Sequence, residues 1–262
     1  GMRRLVRDIR LLDVLLGDGK KKIWDSEKLA MKKLRQKFVW HRDKMITLPD
    51  FKKSFEYEND FYLSCQNSRI AKILAHYELF KKIKNVDGDI VECGVFKGAS
   101  LIRFASFRDI FKLKKRIIGF DSFGKFPHTK FKGDQVLRKK FIKDSGEEGI
   151  SKSQLIKVLE KKQIVDKIKL IKGDVTKTVP EFVKNNPRIK ISLLNLDTDA
   201  YEPAVTILEN LYPKIVKGGI LLLDNYKNWP GETKAVNEYF KNKKIKIQKF
   251  KFSKTPHYII KK

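Results

Sequence analysis

Two short segments concentrate the side chains that could do chemistry. Asn195-Leu196-Asp197-Thr198-Asp199-Ala200-Tyr201-Glu202-Pro203 follows the apolar run Ile189–Leu196, and Leu223-Asp224-Asn225-Tyr226 closes the run Ile220–Leu223. Each segment delivers oxygen ligands from the end of an expected strand. Hard oxygen donors such as Asp197, Asp224 and Asn225 suit Mg²⁺ or another divalent cation, which keeps coordination positions open for substrate and water. A cation held there would draw two vicinal hydroxyls together and lower the pKa of one. Asp197 and Asp199 are the candidate proton acceptors, and a lysine from the N-terminal part of the chain stays open as a third. The competing reading is structural: Asp197 would cap the helix at Pro203, and Asp224 would cap the next loop.

Three further turns read as a nucleoside site. Val91-Glu92-Cys93-Gly94-Val95-Phe96-Lys97-Gly98-Ala99-Ser100 is a strand-to-helix turn in which Gly94 and Gly98 free the backbone, and the following helix offers unpaired N–H groups. Its spacing is G-x-x-x-G, so the dinucleotide fingerprint G-x-G-x-x-G is absent. Gly119-Phe120-Asp121-Ser122-Phe123 puts an acid at a second strand end, where it can accept from ribose hydroxyls. Lys172-Gly173-Asp174 ends a third strand, where the adenine would lie; taken alone, Asp174 reads as a helix N-cap.

The elements that must hold these turns alternate strand and helix from Asp89 onward. Expected strands are Ile90–Cys93, Ile117–Phe120, Lys169–Ile171, Ile189–Leu196 and Ile220–Leu223, with Ile245–Phe250 and His257–Ile260 as a terminal antiparallel pair; Gly98–Phe111 reads as an amphipathic helix. Apolar strands alternating with helices imply an α/β fold with a mostly parallel sheet covered on both faces. Residues 2–86 read instead as several helices broken near Pro49, with Ile70, Ile73, Leu74 and Tyr77 at helical spacing. This divides the chain into an N-terminal helical segment (2–86), suited to lid, substrate or oligomer contacts, and a sheet domain (87–262). The charged, glycine-containing stretch Lys132–Ile150 reads as a mobile lid. His128 lies near the nucleoside turns, whereas His41, His76 and His257 read as core or surface residues.

VECGVFKGAS, GFDSFGKFP, LNLDTDAYEP and GGILLLDNY, in this order and spacing, resemble the macrocin O-methyltransferase family of sugar-modifying enzymes. The resemblance runs from about Asp89 to the C-terminus. It implies a Rossmann-like methyltransferase fold with a seven-stranded, mostly parallel sheet and an antiparallel C-terminal strand. It also implies S-adenosylmethionine as donor, a divalent metal, and a sugar or other small polyhydroxylated acceptor. Carried over residue by residue, Glu92, Gly94 and Gly98 fall at the donor's amino-acid end, with Val95 and Ser100 in the same turn. Asp121 and Ser122 fall at the ribose, Gly173 and Asp174 near the adenine, and Asp197, Asp224 and Asn225 at the metal. The family usually carries Asp-Asp-Tyr where this chain has Asp224-Asn225-Tyr226. The Asp-Asn form is similar to that of catechol methyltransferases, where the amide oxygen still binds Mg²⁺.

Composition narrows the partners. Lys plus Arg is 59 against 31 acids, a net of +28, which would attract nucleic acid or acidic metabolites. The excess is mostly lysine and is dispersed, with no arginine–aromatic interleaving of the kind that reads bases. A solvated basic surface is therefore expected, with an RNA-modifying methyltransferase or a non-catalytic nucleotide-binding module as the competing functions. No apolar run of 18 residues is present, so no membrane span is expected. Two cysteines, Cys65 and Cys93, offer no disulfide framework, which suits a reducing cytoplasm. A homo-oligomer stays open.

Overall fold

A computed structural model describes residues 46–262. His41 and the N-terminal stretches up to residue 45 lie outside the described residues, so the helical reading of that part extends here only to α1 (Ser54–Ser64) and α2 (Asn67–Lys82). The alternation expected downstream is present as β1 (Asp89–Cys93), α3 (Ala99–Ile110), β2 (Ile117–Asp121), α4 (Lys132–Ser145), α5 (Lys152–Lys161), β3 (Ile168–Lys172), α6 (Val175–Asn185), β4 (Ile191–Leu196), α7 (Tyr201–Leu211), β5 (Ile215–Leu223), α8 (Pro230–Phe240), β6 (Gln248–Lys249) and β7 (His257–Ile260).

The strands form one seven-stranded sheet in the order β3-β2-β1-β4-β5-β7-β6. Neighbours from β3 to β5 are parallel, and β7 runs against both β5 and β6, so β7 alone is reversed. Strand order turns back between β1 and β4, and the carboxyl ends of strands at such a switch point diverge to leave a crevice.

Side chains alternate across the sheet with period two. In β1, Val91 and Cys93 join Leu194 and Leu196 in a core under α6, α7 and α8. Ile90 joins Leu193, Leu222 and the α2 and α3 residues Leu79, Phe80, Leu101 and Phe104 on the opposite face. Burial on both faces explains why these strands read as unbroken apolar runs.

Three sequence expectations shift. β5 begins at Ile215 rather than Ile220, because Gly218-Gly219 sits inside the strand beside a register shift against β4, rather than in a turn before it. The last-but-one strand shrinks to Gln248–Lys249. In α2 the buried residues are Ala75, His76, Leu79 and Phe80, whereas Leu74 and Tyr77 are exposed. The helix is thus turned away from the face its apolar spacing suggested.

Candidate functional site

The turns after β1, β2, β3, β4 and β5 converge on a cavity of about 870 Å³. Its wall includes Gly94, Val95, Ser100, Asp121, Ser122, Gly173, Asp174, Asp197, Asp199, Asp224 and Asn225. Glu92 and Gly98, two of the expected donor residues, do not line it. Glu92 lies fully buried behind Ser100, whose hydroxyl donates to it, and Asn195 Nδ2 donates to the same oxygen at 3.1 Å. Burial raises its pKa to about 8, against the pull of these two hydrogen bonds, and the charge of Asp224 adds to the rise. Gly98 has a φ of +85° and starts α3 as its N-cap.

Gly94 is required by a crossing of backbones. Its φ is +93°, and a Cβ there would stand 1.8 Å from the Asp197 carbonyl oxygen. The ends of β1 and β4 therefore touch, which sets the first turn directly beside the acid cluster. Asp121 braces that turn from β2: one carboxylate oxygen accepts the N–H groups of Val95 (2.8 Å) and Phe96 (2.9 Å), and the other accepts Phe123 N–H at 2.7 Å. Asp174 caps α6 through Thr176 N–H at 2.9 Å and still faces the cavity.

The acid cluster is built from β4 and β5. Asn225 Nδ2 donates to Asp197 Oδ1 at 2.7 Å and to Asp199 Oδ1 at 2.5 Å, tying the two turns together. Neither Asp197 nor Asp224 takes the capping role. The N-cap of α7 is Ala200, with no capping side chain, and the Tyr201 N–H goes instead to Asp134. Burial and then the charge of Asp224 push the Asp197 carboxyl far up and that of Asp199 to about 7. Asp199 also holds a left-handed φ of 54°, a strained conformation of the kind that clusters at functional sites.

Asp224 behaves oppositely. Burial opposes its charge, but His76 and Lys72 outweigh that penalty and hold its carboxyl below the usual range. Lys72 Nζ lies 2.5 Å from Asp224 Oδ2, and His76 Nε2 faces Oδ1 at 3.8 Å. Arg103 Nη1 lies 3.0 Å from His76 Nδ1. Because guanidinium only donates, Nδ1 must accept, which leaves the proton of a neutral imidazole on Nε2, pointing at Asp224. Burial lowers the pKa of His76, consistent with that neutral form.

The stretch expected to be a mobile lid is the docked helix α4. Its buried Asp134 accepts Gly231 N–H at 2.7 Å and Tyr201 N–H at 3.1 Å, so one carboxylate serves the N-termini of α7 and α8. Phe141 of α4 packs against Phe96, Phe126 and Trp229 at the cavity rim.

A model of the macrocin-O-methyltransferase (TylF) family matches residues 65–259. The chain belongs to the macrocin O-methyltransferase family. Demethyldecarbamoylnovobiocin O-methyltransferase of Streptomyces niveus is 28% identical over 158 residues, 59% of either chain. Mycinamicin III 3''-O-methyltransferase of Micromonospora griseorubida is 23% identical over 160 residues, 59% of this chain and 61% of that one. The chain thus spans less than two thirds of these relatives' length. The apo structure of CalS11, a TDP-rhamnose 3'-O-methyltransferase, superposes with a TM-score of 0.58 at 27% identity over 79% of this chain and 86% of that one. The O-methyltransferase NovP has the same fold, with a TM-score of 0.64 at 22% identity over 73% and 80%.

Against the macrocin O-methyltransferase pattern, four polar residues escaped the sequence reading: Lys72, Arg103, Asp134 and Glu232. Glu232 is fully buried, accepts Asn225 N–H at 3.0 Å, and has its carboxyl pushed far up by burial and by Asp197 and Asp199. His76, read as a core or surface residue, is buried but faces Asp224. The Lys72/His76 spacing of i, i+4 on one helix face was the available signal.

Proposed function

We propose that the chain is an S-adenosylmethionine-dependent, metal-assisted O-methyltransferase acting on a hydroxyl of a sugar or similar small polyhydroxylated molecule. One observation carries the reading: donor-side turns and the acid cluster share one cavity of about 870 Å³, inside the ~300–1,000 Å³ range of small-molecule sites. The named activity of CalS11, a TDP-rhamnose 3'-O-methyltransferase, supports a sugar acceptor.

The residues present suit both groups. For the donor, Gly94 and Val95 sit beside Ser100, Asp121 and Asp174 on one wall, and the Glu92 oxygen Oε2 is buried without a partner. For a divalent cation, Asp197, Asp224 and the Asn225 amide oxygen are hard donors, and Asp224 Oδ1 is buried without a hydrogen bond. Asn225 would present its oxygen by the half-turn that exchanges amide O and N, two atoms that differ only in hydrogen-bond assignment. Among the described residues no group of three or more His, Cys, Asp or Glu side chains is already arranged to hold a metal ion.

Bound in this way, the donor supplies an electrophilic methyl on sulfur, and the cation supplies charge that acidifies the acceptor hydroxyl. The protein's own part is positioning and proton removal. Asp199, which lines the cavity beside Asp197, would take the proton that the acceptor hydroxyl gives up, and its pKa of about 7 suits that role. Until the amide turns, Asn225 Nδ2 bridges Asp197 and Asp199 and keeps both carboxyls at the cavity wall. Phe141, Phe126 and Trp229 cover the rim and exclude water.

The test uses radiolabelled donor, Mg²⁺ and fractionated glycosides from the source cell. The expected result is label on a glycoside hydroxyl, abolished by chelation while calorimetric binding of the donor persists. Absence of donor binding would overturn the proposal, and full transfer after exhaustive chelation would remove the metal from it.

A further inference from the structure

Among the cations that line the site without a part in the reaction described above, Lys72 makes direct contact with the acid cluster. Lys72 projects from α2, across 152 residues of sequence, to put its ammonium 2.5 Å from Asp224 Oδ2. The lysine side chain is 22% exposed and the aspartate 4%, so the pair is shielded on the carboxylate side and open toward the cavity that Lys72 also lines. The other oxygen of Asp224 faces the Nε2–H of His76, whose orientation Arg103 fixes. Both oxygens of the same carboxylate are thus addressed by positive or proton-bearing groups from α2. Position 225 reinforces the point, since an amide there contributes no charge to draw in a cation.

We propose that Lys72 is a tethered counter-cation that sets the metal affinity of this site: a divalent ion held by Asp224 must displace the ammonium or accept its repulsion at close range. The inference rests on the metal reading above. Lys72 is a positioning residue in this scheme, because it acts through Asp224 rather than on the substrate. Its physical effect is to hold the carboxylate in place while the ion is away, and to weaken the ion's hold once it arrives. A shielded charge pair of this kind is worth far more than an exposed one, so its removal should be measurable.

The experiment is calorimetric titration of the whole chain with Mg²⁺ and Mn²⁺ in the absence of acceptor, for the unmodified protein, Lys72→Met and Lys72→Arg. Thermal melting without metal checks that each variant folds. Lys72→Met should bind the ion roughly tenfold to a hundredfold more tightly, the range that corresponds to loss of a charged hydrogen-bonding competitor. Lys72→Arg keeps the charge and should bind no more tightly than the unmodified protein. A merely structural role for Lys72 would weaken metal binding in Lys72→Met or leave it unchanged. Equal or weaker binding by Lys72→Met, with clear binding by the unmodified protein, overturns the inference and spares the metal reading. No binding by any of the three overturns both.

Discussion

Replacing Glu92 by glutamine tests the electrostatic reading of the donor side directly. Glu92 is fully buried in β1, and its pKa is raised from an ordinary 4.5 to about 8, chiefly by burial. The folded protein therefore keeps this proton to about pH 8, whereas the unfolded chain loses it near 4.5. Between those values the unfolded state binds fewer protons, so stability falls as pH rises, and the loss levels off above the folded pKa. Each unit of pH in the window costs about 1.4 kcal/mol, which puts the cost at roughly 3 kcal/mol by pH 7. Glutamine resembles the protonated acid in shape and can still accept from Ser100 and Asn195 through its oxygen. The assay is urea unfolding of the unmodified protein and Glu92→Gln at pH 5, 6, 7 and 8. The quantity to follow is the difference between the two curves, because all other titrating groups cancel in it. Glu92→Gln should be near neutral at pH 5 and should gain relative stability through pH 7, on the order of 3 kcal/mol. Parallel pH profiles would refute the reasoning and show that Glu92 is ionised in the folded protein.

Three other outcomes follow from the geometry. Gly94→Ala should destabilise by about 3 kcal/mol or more, seen as a large fall in Tm, because its Cβ would meet the Asp197 carbonyl at 1.8 Å. Asp134→Ala should cost about 2–4 kcal/mol in urea unfolding, since it leaves the Tyr201 and Gly231 N–H groups without their acceptor. The +28 charge should give only weak RNA retention on filters, lost near physiological salt and without methyl incorporation; tight, salt-resistant binding with RNA methylation would favour the RNA-modifying alternative.

Strand cores and strand-end acids were legible because each is a local property. A strand buried on both faces is mostly apolar, and an acid that follows such a run marks its end, as Asp121, Asp197 and Asp224 do. What the sequence could not give is which backbone groups those acids satisfy. Asp121 and Asp174 look alike as strand-end acids. One spends its oxygens on the Val95, Phe96 and Phe123 amides and the other caps α6, choices made by turns that exist only once the sheet has formed. The face of α2 was misread for a related reason. Apolar spacing marked Leu74 and Tyr77, but the helix rotates to bury Ala75, His76, Leu79 and Phe80. That rotation is what brings Lys72 and His76 to Asp224.

The site is therefore held by two kinds of charge that work against each other. Asp197, Asp199 and Glu232 crowd three carboxyls into a space where burial favours their neutral forms, a condition that draws in either protons or a cation. Asp224 stays ionised in the same space only because α2 lends it Lys72 and His76. An ionised carboxylate kept ready beside proton-hungry neighbours gives an incoming cation one fixed charge to find first. On the metal proposal, the neighbours would release their protons as the ion settles. Binding of the ion should accordingly expel protons into solution, and titration in buffers of different ionisation enthalpy would count them; a count of zero would mean that Asp197 and Asp199 are already charged before the ion arrives.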